Sequence, residues 1–254
     1  MPNKIVDQSK VNTNRATAIL VGVLYIIGTV SGVLTLVVAK PILDAPDYLV
    51  KVSATGNQVI TGALLMLVMG LALAMVPVAM FSILKRQNEA LALGYVVFRG
   101  GLETVTYIGV AISWLLLLPL SEAYVQAGTP NASSFQPLGT LLLKAAETST
   151  NTTEIIFPLG ALMFNYLLYR SRLIPRWISG WGFIGAIPYL AAGLLHLFGV
   201  IGQMSTITMV LVLPTAVQEM VMALWMIVKG FNSSAITFGS AKADTNRVQT
   251  PASG

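Results

Sequence analysis

The sequence predicts an all-α fold, a polytopic membrane bundle of about six transmembrane helices. Its composition, its apolar runs and the placement of its basic residues support this fold class. Apolar residues make up 55% of the 254 residues, charged residues only 10%, and the mean hydropathy is +0.76. A soluble domain carries about 25% charged residues. This chain therefore lacks the polar side chains needed to cover a globular surface.

Six apolar runs are long enough to cross about 30 Å of hydrocarbon. We expect the transmembrane helices at residues 16–39, 59–84, 91–118, 152–169, 177–200 and 206–228. The first run is too long for the apolar region of a signal peptide, and no convincing small-x-small cleavage site follows it. We therefore predict that it is retained as the first helix.

The basic residues predict the orientation, because loops rich in lysine and arginine remain in the cytoplasm. Eleven of the fifteen lie on one side of the predicted spans, three lie on the other, and Arg99 lies within the third span. The eleven are Lys4, Lys10, Arg15, Lys85, Arg86, Arg170, Arg172, Arg176, Lys229, Lys242 and Arg247, and the three are Lys40, Lys51 and Lys144. Both termini are therefore predicted to be cytoplasmic.

This orientation divides the chain into three parts. Residues 1–15 are predicted to form a cytoplasmic N-terminal segment, and residues 16–231 the transmembrane helical domain. Residues 232–254, rich in Ser, Ala, Thr and Gly, are predicted to form a disordered cytoplasmic tail.

A polar stripe before the fourth span leaves one element open. Lys144, Glu147, Thr148, Asn151 and Glu154 recur at helical spacing within residues 136–154. This stretch is either an extension of the fourth helix beyond the membrane or a short amphipathic helix on the outer surface. A seventh span would have to bury Lys144 and Glu147.

Several function classes are excluded or unsupported. The chain has no cysteine, so disulfides, thiol nucleophiles and cysteine-ligated metals are excluded. Its net charge of +5 is explained by positive inner loops and anionic lipid headgroups, so nucleic acid is not an expected partner. No Walker A, dinucleotide or H-E-x-x-H motif is present. We therefore assign no catalytic residue, no metal site and no cofactor, and expect that the chain is not an enzyme.

Three charged residues stand out deep within the predicted spans, where each costs roughly 2.5–3.5 kcal/mol. They are Arg99 and Glu103 in the third span and Glu219 in the sixth. At about 1.5 Å per residue, all three lie near the midplane. Arg99 and Glu103 are four residues apart and share a helix face, and Glu219 would join them if the two helices are neighbours. We predict that they bind a ligand or a proton; the alternative is an ion network that only fixes helix packing.

Four further residues are weaker candidates for this site: Gln218, Tyr107, Glu154 and His196. Glu154 and His196 are expected near the outer edge of the hydrocarbon, with Tyr107 somewhat deeper. A single interfacial histidine is more often a polar anchor than a ligand, and Glu154 and Glu147 are expected to be solvated.

Three stretches carry a family resemblance. They are residues 22–28 (GVLYIIG), 169–182 (YRSRLIPRWISGWG) and 213–231 (LPTAVQEMVMALWMIVKGF). Together they resemble the bacterial membrane proteins grouped as domain of unknown function 4386, over most of residues 15–231. The resemblance implies a polytopic prokaryotic membrane protein with Gln218, Glu219 and the arginine-rich inner loop in the family pattern. It implies no activity.

These observations leave three hypotheses for a multi-pass protein of the bacterial cytoplasmic (inner) membrane. The first is a protein that binds or transports a small solute or protons at Arg99, Glu103 and Glu219. The second is a structural or regulatory subunit, for which Glu219→Gln with Arg99→Met should restore a stable fold. The third is an enzyme acting on a lipid or quinone, which needs a cavity open to the bilayer beside Glu103 or Glu219. The lipid bilayer is the expected partner, with a homo-oligomer or a membrane partner protein as further options.

Overall fold

The computed structural model describes residues 2–128, 134–203 and 205–232, and their regular structure is entirely helical. In chain order the elements are α1 (Pro2–Leu43), α2 (Tyr48–Ala54), α3 (Gly56–Leu84), α4 (Glu89–Tyr95), a π-helical segment (Val96–Leu102), α5 (Glu103–Ala127), α6 (Gln136–Ser171), α7 (Arg176–Leu197) and α8 (Thr206–Val228). The predicted all-α membrane fold is confirmed.

Five of these helices are long and apolar enough to cross a membrane within the described ranges. They are Thr13–Leu43, Gly56–Leu84, Glu89–Ala127, Arg176–Leu197 and Thr206–Val228. The fourth predicted span, residues 152–169, lies in α6, whose 36 residues extend about 54 Å. Because of its polar residues, α6 is not among the helices that are apolar enough to cross a membrane. The count of six spans and the cytoplasmic location of the termini therefore stay predictions.

Two predicted boundaries change. Residues 136–151 form the first turns of α6, so the polar stripe is an extension of the fourth helix and not a separate surface helix or seventh span. The first helix begins at Pro2, so most of the predicted N-terminal segment is helical and continuous with the first span. The predicted disordered tail lies outside the described residues, except for Asn232.

The six long helices pack as a ring in chain order. Each makes its main contacts with two neighbours: α1 with α3, α3 with α5, α5 with α6, α6 with α7, α7 with α8, and α8 with α1. One apolar cluster, with Tyr25, Leu84 and Met226, fills the end of the bundle nearest the chain termini. A second, with Val59 and Trp114, fills the opposite end. A smaller cluster of Phe157, Ala161 and Ala186 packs α6 against α7, and polar groups also occupy the interior.

The first and last helices close the ring at its inner end. The guanidinium of Arg15 donates to the carbonyl oxygens of Met226, Ile227 and Val228 at 2.7–3.4 Å, which caps the free carbonyls at the end of α8. Gly22 lies against α8 so closely that a Cβ atom would be 2.6 Å from the carbonyl oxygen of Ala223. The contact therefore requires glycine on α1.

The third span is not a uniform α-helix. Its middle, Val96–Leu102, has the wider π-helical turn, and α4 and α5 continue it in both directions. Such segments are rare and occur mostly at functional sites. Here the π segment carries Arg99, and Glu103 is the first residue of the α-helix that follows.

Candidate functional site

Arg99, Glu103 and Glu219 form one buried hydrogen-bonded group. Nη1 of Arg99 donates to both carboxylate oxygens of Glu103, at 2.9 and 3.1 Å. Nη2 of Arg99 donates to Oε1 of Glu219 at 3.1 Å. The side chains of Arg99 and Glu103 are 3% and 0% exposed, whereas that of Glu219 is 17% exposed. The sequence-predicted cluster is thus brought together, although the π segment and α8 are not among the main neighbouring elements of the ring.

Tyr107 completes this group, which we call the arginine network (Arg99, Glu103, Tyr107 and Glu219). Its hydroxyl donates to Oε1 of Glu103 at 2.6 Å. The guanidinium of Arg99 also lies 4.6 Å from the ring centre of Phe157, within cation–π range. Tyr107 was expected in a shallower outer group; it belongs to the midplane network, one helical turn after Glu103.

The charges of the arginine network do not balance when all groups are ionised. One guanidinium faces two carboxylates, which leaves one excess negative charge. Glu103 accepts hydrogen bonds from two residues, whereas Glu219 accepts from Arg99 alone among the described residues. Glu219 is therefore the carboxylate best able to take up a proton or meet a cation.

A cavity of about 400 Å³ lies inside the ring and reaches this network. All six long helices or their π segment contribute to its wall. Its polar lining consists of Thr29, Arg99, Tyr107, Thr150, Thr153, Glu154, Tyr189, Thr215 and Glu219. Glu219 therefore faces a space large enough for a small molecule, while Glu103 lies behind Arg99 and Tyr107.

A second polar group, the histidine network (Glu154, His196 and Thr208), lies toward the other end of the cavity. Nδ1 of His196 contacts Oε2 of Glu154. Nε2 of His196 lies 2.8 Å from Oγ1 of Thr208. The Thr208 hydroxyl donates to the carbonyl of Gly202, so it accepts from Nε2–H. One proton is then held between Nδ1 and the Glu154 carboxyl group.

The expectation that Glu154 is solvated is wrong, because α7 and α8 cover it. Glu154 and His196 are both buried, and the backbone of Glu154 lies against Gly193, where a Cβ would come within 2.7 Å of its carbonyl oxygen. Glu147, by contrast, is exposed and pairs with Lys144 at 2.8 Å. The polar stripe thus divides into a solvated part and a buried part.

Gln218, the remaining weaker candidate, is fully buried and does not line the cavity. Its amide donates to Oδ1 of Asn165 at 3.3 Å and to the carbonyl of Ile178 at 3.1 Å. It therefore ties α8 to α6 and α7. Its position beside Glu219 in sequence places it on a different face of α8.

Sequence reasoning missed four residues of this interior. Thr215, Phe157 and Tyr189 line the cavity, and Asn165 pairs with Gln218. Thr215 precedes Glu219 by one helical turn. This spacing places both residues on the same face of α8 and could have identified Thr215 from the sequence. The buried hydroxyl of Thr215 and Nε of Arg99 have no hydrogen-bond partner within the described ranges.

Within the described residues, no group of three or more His, Asp or Glu side chains could hold a metal ion. The ionisable groups of the two networks are instead paired through hydrogen bonds. The residues around the cavity can hold protons, donate hydrogen bonds from hydroxyl groups and present carboxylates.

Comparison with known proteins gives a family. The family model described as Domain of unknown function (DUF4386) matches residues 20–230. No curated protein and no solved structure matches the chain significantly. The matched residues include both networks and all of the long helices except residues 2–19 of α1.

Proposed function

The chain belongs to the DUF4386 family, and from the geometry of its interior we propose that it binds a small solute or protons at the arginine network, as part of transport or sensing across the membrane. Glu219 is the residue that meets the solute or proton, Arg99 holds it in place, and Glu103 with Tyr107 fixes Arg99. The proposal includes the bacterial cytoplasmic membrane as its location.

One observation carries this proposal: the cavity of about 400 Å³ ends on the partly exposed Glu219. Small-molecule sites have volumes of about 300–1,000 Å³ and combine apolar walls with a few polar groups. The wall here fits that description, with glycine, methionine and leucine side by side with the polar lining residues. An ion network that served packing alone would not need such a space beside it.

The charge of the arginine network also supports the proposal. An excess carboxylate in a region of low dielectric is costly unless a proton or a cation neutralises it. Uptake of either at Glu219 would therefore be favourable, and its release would restore the charged state. A group that alternates between these states has the property that proton-coupled binding requires.

The test is the response of thermal stability to pH in the purified, full-length protein in lipid nanodiscs. We expect the Tm of the wild type to fall as the pH rises and Glu219 loses its proton, because the ionised form places two carboxylates against one guanidinium. Glu219→Gln should remove this fall while keeping the hydrogen bond to Arg99. Glu122→Gln, at an exposed carboxylate of α5, is the matched control and should behave as the wild type. An identical pH response in Glu219→Gln would contradict the proposal.

The structural-subunit alternative is favoured by one observation, the span of the arginine network from the third helix to α8. Because Glu103 is fully buried, its test must include that residue. Under this alternative, a variant with Arg99→Met, Glu103→Gln and Glu219→Gln should be at least as stable as the wild type. Cells that carry this variant should also have the same phenotype as cells that carry the wild-type gene. A changed phenotype with a stably folded triple variant would favour a binding function.

The enzyme alternative requires a cavity open to the bilayer beside Glu103 or Glu219, and the cavity at Glu219 is compatible with it. No activity follows from this, because a lipid or quinone reaction also needs a nucleophile or an electron carrier. Incubation of the protein with labelled membrane lipids and quinones, followed by mass spectrometry, would test it. If a lipid or quinone is converted and the conversion depends on Glu219, the proposal of a binding protein would be replaced by that of an enzyme.

A further inference from the structure

The cavity lies between α1 and α8 in the outer half of the bundle. These helices are antiparallel and touch at their inner ends, at Gly22 and Ala223. Val33 and Val212 each lie eleven residues outward from that contact, about 16 Å away, and both line the cavity. The first and last helices therefore meet on one side of the cavity, and beyond that contact both contribute to its wall.

Part of the cavity wall is also outer surface. Val33 and Leu36 of α1 are 54% and 47% exposed, and Ala216 of α8 is exposed as well. All three line the cavity. Because α1 and α8 have the length and hydropathy of membrane spans, the surface at this height faces lipid and not water. The exposure of these lining residues indicates that the cavity opens toward the bilayer between α1 and α8.

The charged residues that line the cavity favour a positively charged ligand. Two carboxylates line the cavity, Glu154 and Glu219, and Arg99 is the single basic lining residue. Both terminal nitrogens of Arg99 already donate to carboxylates. An anion would meet the Glu219 carboxylate with only the buried Nε of Arg99 unpartnered, whereas a cation would neutralise the excess charge.

The aromatic residues of the wall fit the same guest. Phe157 and Tyr189 both line the cavity and contact each other edge to face, with ring centres 4.8 Å apart. Aromatic faces attract ammonium groups within about 6 Å, most strongly when water is excluded.

Resting on the proposed function, we infer that the cavity takes a membrane-partitioned organic cation, which enters sideways from the bilayer between α1 and α8 and pairs with Glu219. The cationic head lies between the Glu219 carboxylate and the ring of Tyr189, since the guanidinium of Arg99 already lies over the ring of Phe157. The apolar part lies against Gly28, Gly32 and Met69, along the wall formed by α1 and α3.

Three probes of nearly equal size test the charge of the guest: phenyltrimethylammonium, neutral tert-butylbenzene and anionic benzenesulfonate. Each is titrated into the full chain in nanodiscs, with Tm and titration calorimetry as readouts. We expect a saturable rise in Tm with the cation alone. Glu219→Gln should weaken its binding by about tenfold or more, because the charge pair is lost in a region of low dielectric. Glu122→Gln should bind as the wild type.

The route of entry is tested separately with tryptophan substitutions. Ala216→Trp places a large side chain in the opening and should slow association of the cation by about tenfold or more, because binding then waits for the opening to clear. Ala191→Trp, at an exposed alanine of α7 outside the cavity wall, should leave association unchanged. Equal rates for the two variants would overturn the sideways entry.

The outcomes separate this inference from the proposed function. If no probe binds, or if the neutral or anionic probe binds best, the organic cation is wrong. A wild-type Tm that still responds to pH through Glu219 would then preserve the proposed function with the proton as its guest. If the pH response is also absent, both proposals fall together.

Discussion

The arginine network and the histidine network lie on the same cavity but hold their charges differently. In the arginine network a guanidinium, which does not lose its proton in proteins, faces two carboxylates. In the histidine network an imidazole faces one carboxylate, and the Thr208 hydroxyl, which donates to the carbonyl of Gly202, satisfies its other nitrogen. The first network therefore sets one guanidinium against two carboxylates, while the second pairs one imidazole with one carboxylate.

This difference assigns different roles to the two ends of the cavity. A permanent cation that faces two carboxylates leaves one negative charge in excess. A proton or another cation that enters the cavity would neutralise this charge. An imidazole and a carboxyl group that share one proton give a contact that is complete in itself. Glu154 and His196 thus hold α6 against α7, while Glu219 is the group available to a guest.

Removal of Arg99 should have the largest effect, because it leaves Glu103 fully buried without its cation. We expect Arg99→Met to lower the free energy of unfolding by about 3–5 kcal/mol, measured by denaturant titration in mixed micelles. Lys51→Met is the control, since Lys51 and Asp47 form an exposed pair of similar spacing, and should cost at most about 1 kcal/mol. Similar losses for the two variants would show that the arginine network is not the fixed charge centre described above.

Removal of His196 should have a smaller effect, because Glu154 can take up the shared proton and become neutral. We expect His196→Leu to cost about 2 kcal/mol, as for a buried polar group left without a partner. The double variant with Glu154→Met should recover most of that loss in the same unfolding titration, since both partners are then apolar. A loss as large as that of Arg99→Met would mean that the histidine network also holds a permanent charge.

Tyr107 should have the smallest effect of the three, because Glu103 keeps both hydrogen bonds from Arg99. We expect Tyr107→Phe to cost about 1 kcal/mol in the free energy of unfolding. Tyr124→Phe is the control on the same helix, since the Tyr124 hydroxyl has no hydrogen-bond partner among the described residues, and it should be nearly neutral. If Tyr107→Phe is also neutral, the Glu103 carboxylate does not depend on the tyrosine for its position.

The arginine network was largely predictable from the sequence. Charges are rare in apolar runs, four-residue spacing pairs Arg99 with Glu103, and counting the rise per residue brought Glu219 to the same depth. The same spacing also links Tyr107 to Glu103, but its distance from the predicted cytoplasmic end suggested a shallower group. Spacing on one helix was the better guide, because it does not depend on where a span begins.

The cavity and the histidine network could not be predicted in this way. Glu154 and His196 are 42 residues apart on different helices, and their contact depends on the relative height of α6 and α7, which no pattern records. The π segment was missed because its hydrophobic pattern differs from that of an α-helix by only one residue. The cavity depends on how α1 and α8 pack against each other when the ring closes. That packing cannot be inferred from the sequence of either helix alone.

The closure of the ring by its first and last helices has a consequence for how the protein is made. Helices enter the membrane in the order of their synthesis, so Arg99 and Glu103 are inserted long before α8 and Glu219 exist. Their pairing within a single helix gives the third span its own counterion during that interval, which limits the cost of inserting it. The excess negative charge and the cavity arise only when α8 is inserted. The proposed binding site is thus completed by α8 and is absent while the earlier helices are inserted.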